Sequence, residues 1–223
     1  MAYFKSKPNS FIKAFIASDA MLYSALNLVN ILFAVFVTTE VSGGTIQAAT
    51  AALTAGVVTR VLTELFAGKK ISGLPEAAKL NIITTGMALI SISYVGFGLA
   101  QSLYPIIVFW LINGVGWGLA QPTKLSLVSK YIKHDQSNQE WGLTDAINMS
   151  LVAAAMVAGG FIVANYDFEL LFLLAACLNT LGIAPYILYG QLVKQPKLKS
   201  SSSGLVLEPV KQTSANHRKF QDH

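Results

Sequence analysis

Charged side chains are scarce in this sequence. Only 12% of its 223 residues are Asp, Glu, Lys or Arg, whereas soluble domains typically contain about 25%. Hydrophobic residues make up 53% of the chain, and its mean hydropathy is +0.54. This composition excludes an ordinary water-soluble domain and indicates that most of the chain does not face water.

Cysteine and histidine are also rare. The single cysteine, Cys177, excludes an intramolecular disulfide and a thiol-redox pair. His134 adjoins Asp135 in a polar stretch, but no second His or Cys is placed to complete a metal site. We find no Ser/His/Asp arrangement and no phosphate-binding glycine loop. The sequence therefore predicts no enzyme activity, no metal and no cofactor.

Six apolar runs are each long enough to cross a bilayer. A helix needs about 20 residues to span a hydrocarbon core that is about 30 Å thick. The predicted fold is an all-α membrane protein, with a six-helix transmembrane domain over residues 1–193 and a flexible basic cytoplasmic tail over 194–223. The spans are predicted at about residues 15–38, 46–66, 80–100, 104–121, 142–164 and 169–192. The link at 101–103 is very short, so the third and fourth spans should be antiparallel neighbours.

Several features near the ends of these runs give further expectations. Asp19 stands where the first turn of the first span would lie, and Gly68-Lys69-Lys70 is expected to be a basic turn after the second span. Residues 124–141 are expected to form a polar loop that begins at Lys124. Trp110 and Tyr166 lie near predicted interfaces, which is typical of aromatic belt residues.

Basic residues predict the orientation of the chain. Fifteen of the sixteen Lys and Arg residues lie at the N-terminus, in the loops after the second and fourth predicted spans, or in the C-terminal tail. The links after the first, third and fifth spans contain none. The positive-inside rule therefore predicts a multi-pass protein of the cell (inner) membrane with both termini cytoplasmic. This distribution explains the net charge of +5, so no nucleic-acid partner is predicted. The expected surroundings of the spans are the lipid bilayer.

The second run contains the only Lys or Arg residue that falls within a predicted span. Arg60 and Glu64 are four residues apart, so they lie on one helical face and can pair. One interpretation is an ion pair whose side chains reach toward the near interface, without a role in transport. The other is a charged site that lines a solute pathway, because charges are costly in lipid.

Amide side chains are distributed over several spans. They can simply hold a bundle together by hydrogen bonds between helices. Their number, with the charges above, also favours a polar cavity near the bilayer midplane. The resulting candidate solute-binding residues are Asn27, Asn30, Arg60, Glu64, Asn113, Trp117, Gln121, Asp145 and Asn148.

Small residues recur in the fourth span. Gly114 and Gly118 form a pair at four-residue spacing that lets two helices approach closely, and Ala155 and Gly159 repeat the spacing in the fifth span. Close packing is one interpretation, and a hinge for alternating access is the other. No strand precedes these glycines and the third glycine of a dinucleotide-binding fingerprint is missing.

The overall pattern resembles one half of a major facilitator superfamily transporter. Residues 66–73, Phe-Ala-Gly-Lys-Lys-Ile-Ser-Gly, are similar to a decayed form of the Leu-Ala-Asp-Arg…Gly signature of that family. Lys69 stands at the Arg position, and Gly68 replaces the acid of the family's cytoplasmic charge latch. Residues 114–122, followed by a basic loop and Glu140-Trp141-Gly142-Leu143, resemble the passage from the fourth to the fifth span.

The resemblance implies a functional arrangement. The family has twelve spans in two halves, so two copies of this chain, related by a twofold axis, would rebuild the arrangement. It implies a homodimeric secondary transporter of a small solute, working by alternating access, with proton coupling as one option. The first and fourth spans would then face the solute path. A non-transporting membrane scaffold, or a partner subunit for another half, is the alternative.

Overall fold

Seven α-helices make up the regular structure of the part of the chain that can be described. The computed structural model describes residues 10–130 and 137–194. The helices are α1 (Ser10–Glu40), α2 (Ile46–Ile71), α3 (Glu76–Leu99), α4 (Leu103–Val128), α5 (Ser137–Asn165), α6 (Phe168–Leu181) and α7 (Ala184–Lys194). Helices α6 and α7 together form the sixth of six segments that are long and apolar enough to cross a membrane. The prediction of an all-α fold with six spans is therefore confirmed.

Helices α1 to α5 each extend beyond the predicted spans, and in α1, α2 and α4 the extension changes the predicted place of a charged residue. Helix α1 begins at Ser10, so Asp19 lies in its interior and not in its first turn. Helix α2 continues through Lys69 and Lys70, which occupy its last turn. Helix α4 passes through Pro122 and includes Lys124, so the prediction that Lys124 opens a polar loop is wrong. Neighbouring helices compensate for a proline inside a membrane helix, which explains why α4 does not end there.

The sixth span is interrupted. Helix α6 ends at Leu181, and α7 begins after Gly182 and Ile183. Pro185 lies in the first turn of α7, where its missing N–H costs no helical hydrogen bond. The sequence predicted a single helix here, and the structure corrects this to two segments.

The helices pack as two related groups of three. Helix α4 packs on α2 and α3, and α1 packs on α5 and α6. Exchanging α1 with α4, α2 with α5 and α3 with α6 converts the first set of contacts into the second. Helices α3 and α6 then contact each other and join the groups. The bundle therefore has the internal symmetry expected of a repeated three-helix unit.

Glycines allow α4 to contact both of its neighbours closely. A Cβ atom on Gly114 would lie 2.3 Å from the carbonyl oxygen of Gly56 in α2, and one on Gly118 would lie 2.4 Å from the Cβ of Thr63. On the other side of α4, a Cβ on Gly116 would lie 2.6 Å from the carbonyl oxygen of Gly86 in α3. The predicted close approach is confirmed for Gly114 and Gly118. It is not found at Gly159, where a Cβ would meet only leucine side chains at 3.5–3.6 Å. A hinge role stays a prediction.

Aromatic rings fill one end of the bundle. Phe33 of α1 lies with its ring centroid 5.1 Å from that of Trp110 and 5.7 Å from that of Phe97. Phe36 and Phe172 are 4.8 Å apart in an edge-to-face arrangement. The interface position predicted for Trp110 is wrong, because this ring is buried in the aromatic core. Such packing closes the end at which α1 ends and α6 begins.

The links at this end are short and well anchored. Gly43 has a φ of +72°, which a residue with a side chain rarely adopts. Thr45 caps α2 by accepting a hydrogen bond from the backbone N–H of Ala48 (3.1 Å). The link after α1 joins the link after α3 through the bond from Ser42 N–H to the carbonyl of Gln101 (3.2 Å). His134, Asp135 and the tail predicted beyond Lys194 lie outside the described residues.

Candidate functional site

A buried ion pair joins α1 to α4. The ammonium group of Lys124 donates a hydrogen bond to Oδ1 of Asp19. The Lys124 side chain is 0% exposed, and that of Asp19 is 8% exposed. Both charges lie within membrane-spanning segments, where an unpaired charge would be very costly. The two residues therefore depend on each other for burial.

Two aromatic rings flank the buried ammonium group. Tyr23 lies one helical turn after Asp19, and Trp117 lies two turns before Lys124 on the same face of α4. The Lys124 nitrogen is 6.0 Å from the Tyr23 ring centroid and 5.9 Å from the Trp117 ring. The two rings are themselves 5.7 Å apart, and Nε2 of Gln121 donates to the Tyr23 hydroxyl (3.4 Å). Cation–π attraction thus adds to the stabilisation of the ion pair.

A second ion pair lies beside these rings, on α2. The Nε of Arg60 donates to Oε1 of Glu64 at 2.8 Å, so the predicted pairing is confirmed. The Arg60 guanidinium carbon lies 5.1 Å from the Trp117 ring centroid. The side chains of Arg60 and Glu64 are 36% and 33% exposed, in contrast to the buried pair. Three helices therefore meet at one site, which we call the charged cluster and which contains Asp19, Tyr23, Arg60, Glu64, Trp117, Gln121 and Lys124.

The charged cluster brings together four of the residues that the sequence singled out, namely Arg60, Glu64, Trp117 and Gln121. Asn113 instead points to α3, where its Nδ2 donates to the hydroxyl of Ser93 (2.7 Å). Asn27 donates to the carbonyl of Tyr23 within its own helix (2.9 Å). The remaining three candidates lie elsewhere: Asn30 and Asp145 are exposed, and Asn148 is buried in α5.

Sequence reasoning missed Asp19, Tyr23 and Lys124. A signal for Lys124 was present, because apolar periodicity resumes at Leu125, Leu127 and Val128 and indicates that the helix passes beyond Pro122. The apolar residues before Asp19 similarly indicate an earlier start for α1. When α1 and α4 are extended in this way, Asp19 and Lys124 both lie within membrane spans. Each charge then requires a partner.

Other polar groups within the spans serve packing. Asn179 of α6 donates from Nδ2 to the carbonyl of Met87 and to the hydroxyl of Ser91, both at 2.7 Å. Thr180 also donates to Ser91 (2.9 Å). These bonds join α3 to α6 and have no contact with a charge. They match the interpretation of the amides as links between helices.

A cavity of about 600 Å³ lies away from the charged cluster, between α3 and α6. Its lining is apolar apart from Ser91, Thr180 and Cys177. Within residues 10–130 and 137–194, no group of three or more His, Cys, Asp or Glu side chains is placed to hold a metal ion. Both ion pairs found among the described residues lie in the charged cluster.

Comparison with known proteins identifies the family. The sequence matches the profile of the Major Facilitator Superfamily over residues 15–219. No curated protein matches the chain in sequence. The profile match covers most of the chain and agrees with the six membrane-length helices. The protein is therefore a multi-pass membrane protein that belongs to the Major Facilitator Superfamily, a family of membrane transporters.

Proposed function

We propose that this protein is a secondary transporter that moves a small solute by alternating access, with the charged cluster as its solute site. The observation that supports this proposal is the connection of two ion pairs through Trp117 between three membrane-spanning helices. Charged residues inside a membrane are rare and typically mark solute or ion pathways. Uncharged hydrogen bonds, such as those between α3 and α6, would be sufficient to hold the helices together, so packing alone does not require the two ion pairs.

The position of the buried pair suits a change between two conformations. Helix α1 packs mainly on α5 and α6, whereas α4 packs on α2 and α3, so direct contact between α1 and α4 is limited. The Lys124–Asp19 pair lies at that contact. Changing the charge of Asp19, or binding a solute beside Tyr23 and Trp117, would weaken or strengthen the contact between α1 and α4. That contact links the two groups of helices. Proton coupling through Asp19 or Glu64 is part of this proposal.

Transport by purified protein in liposomes provides the test. We expect Arg60→Ala to reduce solute-dependent dissipation of a pH gradient by about tenfold or more, since it removes the accessible cation of the cluster. Lys70→Ala is the matched control, because it removes an exposed cation from the last turn of the same helix. It should transport at the wild-type rate.

A non-transporting scaffold or partner subunit is the second candidate. It is favoured by Gly68, which stands where the resemblance places an acid of the cytoplasmic latch. Gly68 is exposed, and no atom lies within 4 Å of the position of a Cβ atom there. If wild-type protein and empty liposomes behave identically across a solute panel, the transporter proposal is wrong and the scaffold is favoured.

We further propose that a second copy completes the solute path. Helices α2 and α5 are the least buried of the membrane-spanning segments, and both carry large exposed apolar side chains. In a twofold dimer α2 of one copy would face α5 of the other, with α1 and α4 between them. The exposed side chains of Asn30 and Asp145 would then face the second copy of the chain. The basic ends of the bundle, at Lys69, Lys70 and Lys130, would face the cytoplasm of a cell membrane.

Disulfide crosslinking tests this arrangement. Leu62 lies sixteen residues after Ile46 and Met149 lies sixteen residues before Asn165, which places both at the same depth, and their side chains are 51% and 49% exposed. In a Cys177→Ala background, the variant with cysteines at 62 and 149 should form a covalent dimer in the membrane. A variant with cysteines at 62 and at Thr85 of α3, which is exposed and lies fourteen residues before Leu99 at a similar depth, should not. A monomer throughout would exclude the homodimer.

A further inference from the structure

The guanidinium group of Arg60 has unused hydrogen-bonding capacity. Its Nε donates to Glu64, but its two terminal nitrogens donate no hydrogen bond to any residue that the structure describes. These nitrogens carry four of the five N–H donors of an arginine. Arginine in a membrane-spanning helix with most of its donors unpaired is costly, so the group is prepared for a ligand that the chain itself does not supply.

The neighbours of Arg60 hold this group in place. The guanidinium carbon lies 5.1 Å from the Trp117 ring centroid, and the bond from Nε to Glu64 fixes one edge of the plane. The opposite edge, with the terminal nitrogens, remains free. A planar, oriented arginine edge matches the two oxygens of a carboxylate or of a phosphate group.

The other cation of the cluster cannot serve this purpose. Lys124 is 0% exposed and already donates to Asp19, whereas the side chain of Arg60 is 36% exposed. Glu64 is 33% exposed and contacts Arg60 through a single oxygen. Its carboxylate therefore leaves the terminal nitrogens of Arg60 free for an incoming anion.

We propose that the solute is an anion whose carboxylate or phosphate group binds the free edge of Arg60, beside the rings of Trp117 and Tyr23. This substrate class rests on the proposed transport function, but it is tested by binding alone. Neutral solutes such as sugars and cationic solutes should not depend on Arg60. The negative charge of the Glu64 carboxylate should weaken binding of the anion at the neighbouring edge of the guanidinium group.

Binding to detergent-purified protein provides the experiment. The probes are acetate, succinate and inorganic phosphate, with glucose and choline as neutral and cationic controls, measured by calorimetry and by tryptophan fluorescence. At least one of the three anions should bind, and Arg60→Lys should weaken its binding by about tenfold or more, because lysine keeps the charge but loses the planar edge. Lys70→Gln should leave the affinity unchanged.

Glu64→Gln distinguishes a ligand site from a structural ion pair. It removes the negative charge beside the site and keeps an amide oxygen that can accept from Nε, so the affinity for the anion should rise several-fold. Absence of binding by all three anions, or equal affinities in wild type and Arg60→Lys, would overturn the proposal. Anion binding that depends on Arg60 without transport in liposomes would support the anion site while contradicting the transport function.

Discussion

Replacing Lys124 with methionine is expected to lower the free energy of unfolding by about 3–5 kcal/mol. The substitution keeps most of the length of the side chain but leaves the Asp19 carboxylate buried without a cation. Thermal unfolding in detergent, followed by the loss of monodisperse protein, should show a midpoint lower by roughly 6–20 °C for a chain of this size.

Lys130→Met is the matched control. Lys130 lies just beyond the end of α4, six residues after Lys124, and is exposed. Its replacement makes the same change in net charge and should alter stability by less than about 0.5 kcal/mol. Equal midpoints for Lys124→Met and Lys130→Met would show that the buried pair contributes nothing to folding.

The double variant Asp19→Asn/Lys124→Met separates the pair from its individual residues. Replacing both members removes the uncompensated charge, so the double variant should be more stable than Lys124→Met alone. Transport should nevertheless be lost in the double variant, if the pair participates in the conformational change. Our proposal therefore requires that the double variant be more stable than Lys124→Met and still fail to transport.

Gly114→Val is expected to separate α2 from α4. The Cβ atom would lie 2.3 Å from the Gly56 carbonyl oxygen and 3.0 Å from the Cβ of Thr59. The first of these atoms belongs to the backbone, so a side-chain rotation cannot relieve the contact. Overpacking of this kind typically costs about 1–3 kcal/mol, and here it would also move Arg60 away from Trp117.

Gly160→Val is the control for this substitution. Gly160 lies within α5, and no atom is within 4 Å of the position of its Cβ. The same side chain should therefore be accommodated there at little cost. The measurements are the yield of folded protein and the unfolding midpoint, with anion binding as a second readout. If the two valine variants are equally stable, the close approach of α2 and α4 does not limit this fold.

The features that followed from sequence are local ones. Runs of apolar residues predicted six spans, because a bilayer requires a minimum length of apolar helix. A link of three residues between α3 and α4 required them to pack side by side. The four-residue spacing of Arg60 and Glu64 was enough to predict their pairing, since a helix alone places these side chains together.

The errors have a common cause. Asp19 was assigned to a helix end and Lys124 to a polar loop because charged residues usually mark the limits of a span. Trp110 was assigned to an interface for a similar reason. These usual positions of charged and aromatic residues do not apply where another helix supplies a buried partner. A lysine inside a span is tolerated when an aspartate from another helix meets it, and a tryptophan near a helix end is buried when phenylalanines surround it.

The number of spans, their helical type and the spacing of small residues depend on neighbours along the chain, so the amino-acid order alone was sufficient for them, whereas several helix ends were not predicted. The charged cluster depends on residues 105 positions apart, Asp19 and Lys124, which meet only after α1 and α4 have packed. Likewise, the free edge of Arg60 appears only when Trp117 supports the guanidinium group from a different helix. The periodicity of a sequence specifies which face of each helix is apolar. Which helices then place their faces against each other is decided only when the bundle assembles.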